Sequence, residues 1–308
     1  MIRKTVVPAG ILLAALALTA CGGSGDPLDN EQADGDAGSG AAGGEGVAIG
    51  SANFPGNVLL AEIYAAALED AGVEVTKTLN IGNRETYIAG LEDGSIDLIP
   101  EYTGALAVYF NPDAEATESD AVYGELQDAL PDGLTVLEPS SAEDKDSIVV
   151  TSETAEEYSL TAIGDLAPEA PNLVLGGPPE FAERPYGVPG LSEVYGLEFA
   201  SFRPLAAGSN LTVQSLLNGQ VDAANIFTTD PAIAENGLVV LEDPESLFAA
   251  QNVVPLITED ALTPEIETAL NDVSAALSTE ELSGMMSEVV TDGQDPATVA
   301  RAFVDEHL

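Results

Sequence analysis

The 308-residue chain holds one histidine and one cysteine. His307 is the penultimate residue and Cys21 lies near the start. Nucleophilic catalysis of the Ser-His-Asp or Cys-His kind needs an imidazole beside its nucleophile, and those parts are missing. A zinc site needs several His or Cys ligands, so none is expected. Carboxylates are plentiful, with 53 Asp and Glu. A pair of them could do acid–base work, which keeps an exported hydrolase open as a rival reading. In so acidic a chain, however, such pairs mark no particular place. The glycine-rich tract between residues 22 and 46 follows no strand pattern and is not a phosphate loop. No cofactor is expected.

Cys21 offers chemistry of another kind. Arg3 and Lys4 precede an apolar stretch over residues 10–18, and the small residues Thr19 and Ala20 follow. That order is an export signal, and the stretch is too short to span a bilayer. The run Leu18-Thr19-Ala20-Cys21 resembles the lipobox of bacterial lipoproteins. The resemblance implies a signal peptide over 1–20, a diacylglycerol on the Cys21 thiol, and a mature chain lipid-anchored on the extracytoplasmic side of the cell membrane. Residues 21–46, a Gly/Ala/Asp mixture without apolar bulk, read as a flexible linker.

The formal net charge of −45, with 8 Lys and Arg, excludes nucleic acid as a partner, because phosphate binding needs clustered basic side chains. The acids are spread along the chain. Such a surface is found in proteins that work in high salt, and it equally serves solubility alone. With 45% hydrophobic residues and a mean hydropathy of +0.13, residues 47–308 can build a real core as one large domain or two lobes.

Apolar periodicity predicts a strand over 47–51, a helix over 58–71 stopped by Gly72, and an alternating strand over 73–79. A helix over 84–94 and a strand over 96–99 follow. Strand–helix–strand–helix–strand means βαβ units and a parallel sheet. The grammar returns with strands over 148–150, 173–175 and 221–227 and a helix over 210–217. Thr263-Pro264-Glu265 and Asp295-Pro296 open two late helices. Two α/β lobes on an exported chain suggest a solute-binding protein that closes on a ligand.

Ordered segments then carry a family resemblance. They are Ile49-Gly50-Ser51-Ala52-Asn53-Phe54, Glu62-Ile63-Tyr64, Asn80-Ile81-Gly82-Asn83-Arg84-Glu85, and Ile96-Asp97-Leu98-Ile99-Pro100-Glu101-Tyr102-Thr103-Gly104. Further along stand Gly176-Gly177-Pro178-Pro179-Glu180-Phe181, Pro189-Gly190-Leu191, Asn225-Ile226-Phe227-Thr228-Thr229-Asp230-Pro231, and Gln251-Asn252-Val253-Val254-Pro255. Together they resemble the substrate-binding proteins of osmoprotectant ABC importers, which handle glycine betaine, choline and carnitine. The resemblance covers residues 47–308. It implies an α/β, two-lobed periplasmic-binding-protein-like fold of type II with a two-strand hinge. One lobe would be 47–147 plus 253–308, the other 148–252. It also implies a monomeric receptor, not an enzyme, that delivers a small quaternary amine or zwitterion to the transmembrane subunit of a permease. Another small zwitterion, such as ergothioneine, stays open as the solute.

A quaternary ammonium has no N–H to donate and is best held by aromatic ring faces. A carboxylate on the same solute calls for an arginine, hydroxyls or backbone N–H groups. On the resemblance, Tyr102 and Thr103 form the ligand-contacting turn. Asn53, Phe54 and Tyr87 are further candidates in the first lobe, and Arg184, Thr228 and Thr229 in the second. Some members of the family carry a four-tyrosine cage. Two of its positions have no evident tyrosine here, and they would fall near Gly187-Val188 and Gln251-Asn252, with Tyr186 beside the first.

Overall fold

The computed structural model describes residues 46–308. Cys21, the signal peptide and nearly all of the proposed linker lie outside them. The described chain forms two five-stranded sheets with helices packed against them.

The first sheet contains β1 (Gly46–Ala52), β2 (Glu74–Gly82), β3 (Leu98–Tyr102), β4 (Leu134–Val136) and β10 (Val253–Thr258), in the order β2-β1-β3-β10-β4. The second contains β5 (Asp146–Val150), β6 (Val174–Gly177), β7 (Ser201–Pro204), β8 (Ala223–Phe227) and β9 (Val239–Val240), in the order β7-β6-β8-β5-β9. Both sheets are mixed: the parallel pairing expected of the βαβ units is present, and antiparallel strands add to it. β1 runs parallel to β2 and β3, and β6 parallel to β7 and β8. β10 and β5 are each antiparallel to both of their neighbours. These two strands enter their sheets directly from the segments that cross between the sheets, not through a covering helix, so nothing forces a parallel crossover.

The helix α1 (Pro55–Asp70) starts with Pro55 in its first turn, where a missing N–H costs nothing. It is buried nearly all round, with Leu59, Leu60, Ile63 and Leu68 fully enclosed, because the last helix, Pro296–His307, packs on its outer side. The helix α2 (Arg84–Glu92) follows β2, and α3 (Thr103–Phe110) follows β3. Their N-termini therefore sit at the same edge of the first sheet, outside the carboxyl ends of its parallel strands, where open α/β sheets bind ligands.

The chain crosses between the sheets twice, and the crossings pair with each other. Glu143 bridges Asn252 in antiparallel fashion. The Asp144 N–H donates to the Gln251 carbonyl at 3.2 Å and the Val253 N–H to the Ala142 carbonyl at 3.0 Å. This two-stranded ribbon is the floor of the space between the sheets.

Candidate functional site

A cavity of about 50 Å³ lies above that ribbon. It adjoins a wider groove of about 560 Å³ that shares Arg84, Glu180, Arg184 and Tyr186 with it. Residues of both sheets and of both crossings line it.

From the first sheet come Phe54, Arg84, Tyr87 and Tyr102. Arg84 and Glu101 are buried and meet through two bonds, Nε to Oε1 at 2.7 Å and Nη2 to Oε2 at 2.8 Å. The Tyr87 hydroxyl donates to the same carboxylate, as does the Tyr102 N–H at 2.9 Å. Glu101 thus has four donors. Burial works against the charge on Arg84, but Glu101 and the neighbouring phenols hold its guanidinium well above the ordinary range. Burial likewise raises the Tyr87 phenol, with Arg84 opposing and Glu101 adding to the shift. Tyr102, 7% exposed, keeps its hydroxyl without a partner among the described residues. Its ring stacks on Phe54 with centroids 6.1 Å apart. Phe54 in turn meets Phe227 of the second sheet at 5.2 Å.

From the second sheet come Arg184, Tyr186 and Phe227. Arg184 and Tyr186 stand in the tight segment between β6 and the helix Val188–Tyr195. That segment folds on itself so closely that a Cβ at Gly187 would lie 1.9 Å from the Phe181 carbonyl oxygen. Only glycine fits there, and the compaction aims both side chains at the cavity. Arg184 Nη1 donates to the Tyr186 hydroxyl at 3.0 Å, and Arg84 Nη1 reaches the same oxygen at 3.5 Å from the other sheet. Arg184 also faces Glu85 at 3.8 Å.

The crossings contribute Asp144, Asp146 and Gln251. Residues two apart on extended chain face the same side, so both aspartates look into the cavity while Lys145 turns away. Asp144 Oδ1 accepts from the Thr229 N–H at 3.2 Å and its hydroxyl at 2.7 Å. Asp146 Oδ1 accepts from Asn225 Nδ2 at 3.0 Å. Burial pushes the Asp144 carboxyl up to about 7 despite the Thr229 bonds. It raises Asp146 too, with Asn225, Arg184 and Arg84 opposing.

Among the residues singled out in the sequence, Asn53, Phe54, Tyr87, Tyr102 and Arg184 line the cavity. Thr103, Thr228 and Thr229 do not, and their hydroxyls have other work. Thr103 donates to the Ala250 carbonyl and accepts from the Asn252 N–H, both at 3.1 Å, which fastens α3 to the second crossing. Thr228 accepts from the Lys145 N–H at 3.0 Å, and Thr229 caps Asp144. The sequence reading missed Arg84, Asp144, Asp146, Phe227 and Gln251 as cavity residues. Arg84 carried the same signal as Arg184, a rare cation in an acidic chain. Asp144 and Asp146 carried the alternation of Asp-Lys-Asp just ahead of a strand.

Two sheets joined by a paired crossing, with a polar and aromatic cavity over the crossing, define an interlobe solute-binding protein. The chain belongs to the family of the substrate binding domain of the ABC-type glycine betaine transport system, whose model matches residues 45–306. It is 29% identical over 280 residues to a glycine-betaine-binding protein of Pseudomonas aeruginosa, an overlap of 85% of this chain and 88% of that one. With the glycine betaine-binding protein YehZ of Escherichia coli it shares 27% identity over 274 residues, 84% of this chain and 90% of the other. Among solved structures, it superposes on a glycine betaine/carnitine/choline ABC transporter protein with a TM-score of 0.67 at 24% identity, covering 85% of this chain and 98% of that one. That likeness confirms the two-lobed fold. The protein is therefore an extracytoplasmic substrate-binding protein of an ABC importer, and not an enzyme.

Proposed function

We propose that this chain is a lipid-anchored receptor that captures a quaternary-ammonium osmoprotectant of the glycine betaine, choline or carnitine class and hands it to its permease. One observation carries the reading. Phe54, Tyr102, Phe227 and Arg184 line one cavity. A methylated ammonium is attracted by such rings without needing a donor, and a carboxylate on the same molecule pairs with an arginine. Tyr87 contributes its ring only, since Glu101 holds its hydroxyl. Asn53 borders the site at the end of β1. The lobes are taken as residues 47–147 plus 253–308 and 148–252, hinged at the paired crossings, with release on opening.

The anchor rests on Leu18-Thr19-Ala20-Cys21. A Cys21→Ser variant is expected to lose the acyl chains and leave the membrane fraction while the lobes fold as before, and mass spectrometry of the N-terminus checks it. The solute class is tested by a thermal-shift and calorimetry panel of glycine betaine, choline, carnitine, proline betaine and ergothioneine. Binding of one or more of the first four supports the class. A response to ergothioneine alone assigns the other zwitterion, and no response at all rejects both.

A further inference from the structure

Aromatic rings and Arg184 provide for the two ends of a betaine, but they leave Asp144, which is buried, and Asp146, which is half-buried, without a task. Asp144 and Asp146 both line the cavity, and each has only Oδ1 engaged, by Thr229 and by Asn225. Among the described residues no donor bonds Oδ2 of either. A carboxylate oxygen that faces a cavity with no donor is under-satisfied, and burial of the two groups raises both carboxyls. A quaternary ammonium offers these oxygens a charge but no hydrogen bond, because it has no N–H to donate. A second observation lies on the same cavity. The Tyr102 hydroxyl is buried and makes no hydrogen bond of normal geometry among the described residues, with Asn57 near it and Asp144 in electrostatic reach. The cavity therefore has more hydrogen-bonding capacity than a solute with only an ammonium and a carboxylate can fill.

We propose that Asp144 and Asp146 accept a hydrogen bond from an O–H or N–H group of the solute, so that the cavity selects betaines carrying such a donor over those without one. The inference rests on the betaine-class reading above and deepens it. Asp144 lies within electrostatic reach of Tyr102 and Asp146 within that of Arg184, and Asp146 pairs with Phe227 across the sheet. A donor set between the ammonium and the carboxylate of the solute is the one placed to reach them.

L-Carnitine and γ-butyrobetaine make the matched pair, identical except for one hydroxyl in that position. Calorimetry on the unmodified protein is expected to show carnitine bound roughly ten- to a hundredfold more tightly, the range for a hydrogen bond to a charged partner. In Asp144→Asn or Asp146→Asn the ratio is expected to fall several-fold. Equal affinities in the parent overturn the inference and leave the betaine reading intact. A ratio that survives both substitutions overturns the assignment to these carboxylates. If neither compound binds, the betaine reading fails and the inference with it.

Discussion

The two walls of the cavity are finished to different degrees. On the first-sheet wall, Glu101 takes four donors from Arg84, Tyr87 and the Tyr102 N–H, and charge is balanced within the protein. On the wall formed by the crossings and the second sheet, Asp144 and Asp146 each keep an oxygen free, and Arg184 leans on a neutral phenol and a distant carboxylate. Both walls bear charge, but Arg84 and Glu101 are buried, whereas Arg184 and Asp146 are partly exposed. One is a structural frame that needs no solute; the other has unmet capacity that a solute can meet. Electrostatic readiness in a binding protein is thus not the presence of charged groups but the absence of their internal partners.

The contrast can be broken most severely on the finished wall. Glu101→Gln leaves the Arg84 guanidinium buried without its counter-ion, and a buried pair broken on one side costs about 3–5 kcal/mol. Chemical denaturation should show a loss of that size, with or without solute. A loss under about 1 kcal/mol would mean that water or another acid reaches Arg84, and the wall is not the frame described.

The unfinished wall should respond to pH instead. The Asp144 carboxyl moves from 3.8 to about 7 on folding. Between those values the folded state holds a proton that the unfolded chain has released, so stability falls as pH rises through this window. Asp146 and Asp230 face it and act in the same sense, while Thr229 opposes them. Asp144→Asn removes the effect. Its stability relative to the parent should climb by a few kcal/mol from about pH 4 to 7 and then level off. A difference that is flat with pH would show that Asp144 is hydrated.

Binding variants sharpen the comparison further. Arg184→Ala should weaken glycine betaine by about 1.5–3 kcal/mol and choline, which lacks a carboxylate, far less. Equal losses would make Arg184 a brace between the lobes through Tyr186 and Glu85. Tyr102→Ala should cost about 1–2 kcal/mol for both ligands, and Tyr102→Phe much less for either, because the ring face survives. A Phe variant as weak as the Ala variant would assign the contact to the hydroxyl. The smallest expected effect is general. With a net charge of −45, screening by molar salt should raise the melting temperature of the solute-free protein.

Much of the frame was legible in the sequence. The helix over 210–217 falls at Asn210–Leu217, and Gly72 and Pro264 do end and begin helices where they should. The strand expected over 96–99 lies at Leu98–Tyr102, because its span is set by pairing with Val253–Thr258, some 150 residues away and invisible to local periodicity. The direction of β10 and β5 was hidden for the same reason. Among the cavity residues, rarity and the preceding Gly-Pro-Pro-Glu-Phe turn singled out Arg184, and the family resemblance singled out Phe54, Tyr87 and Tyr102. Thr103, Thr228 and Thr229 looked alike in sequence, and only folding reveals that their hydroxyls are consumed by backbone and by Asp144. Asp144 and Asp146 were drowned among 53 acids. Their shared place on the cavity, which sets them apart, is a property of the fold.

A crystal structure with glycine betaine bound tests the difference between the walls most directly. The expected result places the ammonium against Phe54, Tyr102 and Phe227 and the carboxylate on Arg184, with the Arg84–Glu101 pair unchanged at 2.7 and 2.8 Å. A structure in which that pair opens so that Arg84 takes the carboxylate, while Arg184 stays on Tyr186, would contradict it.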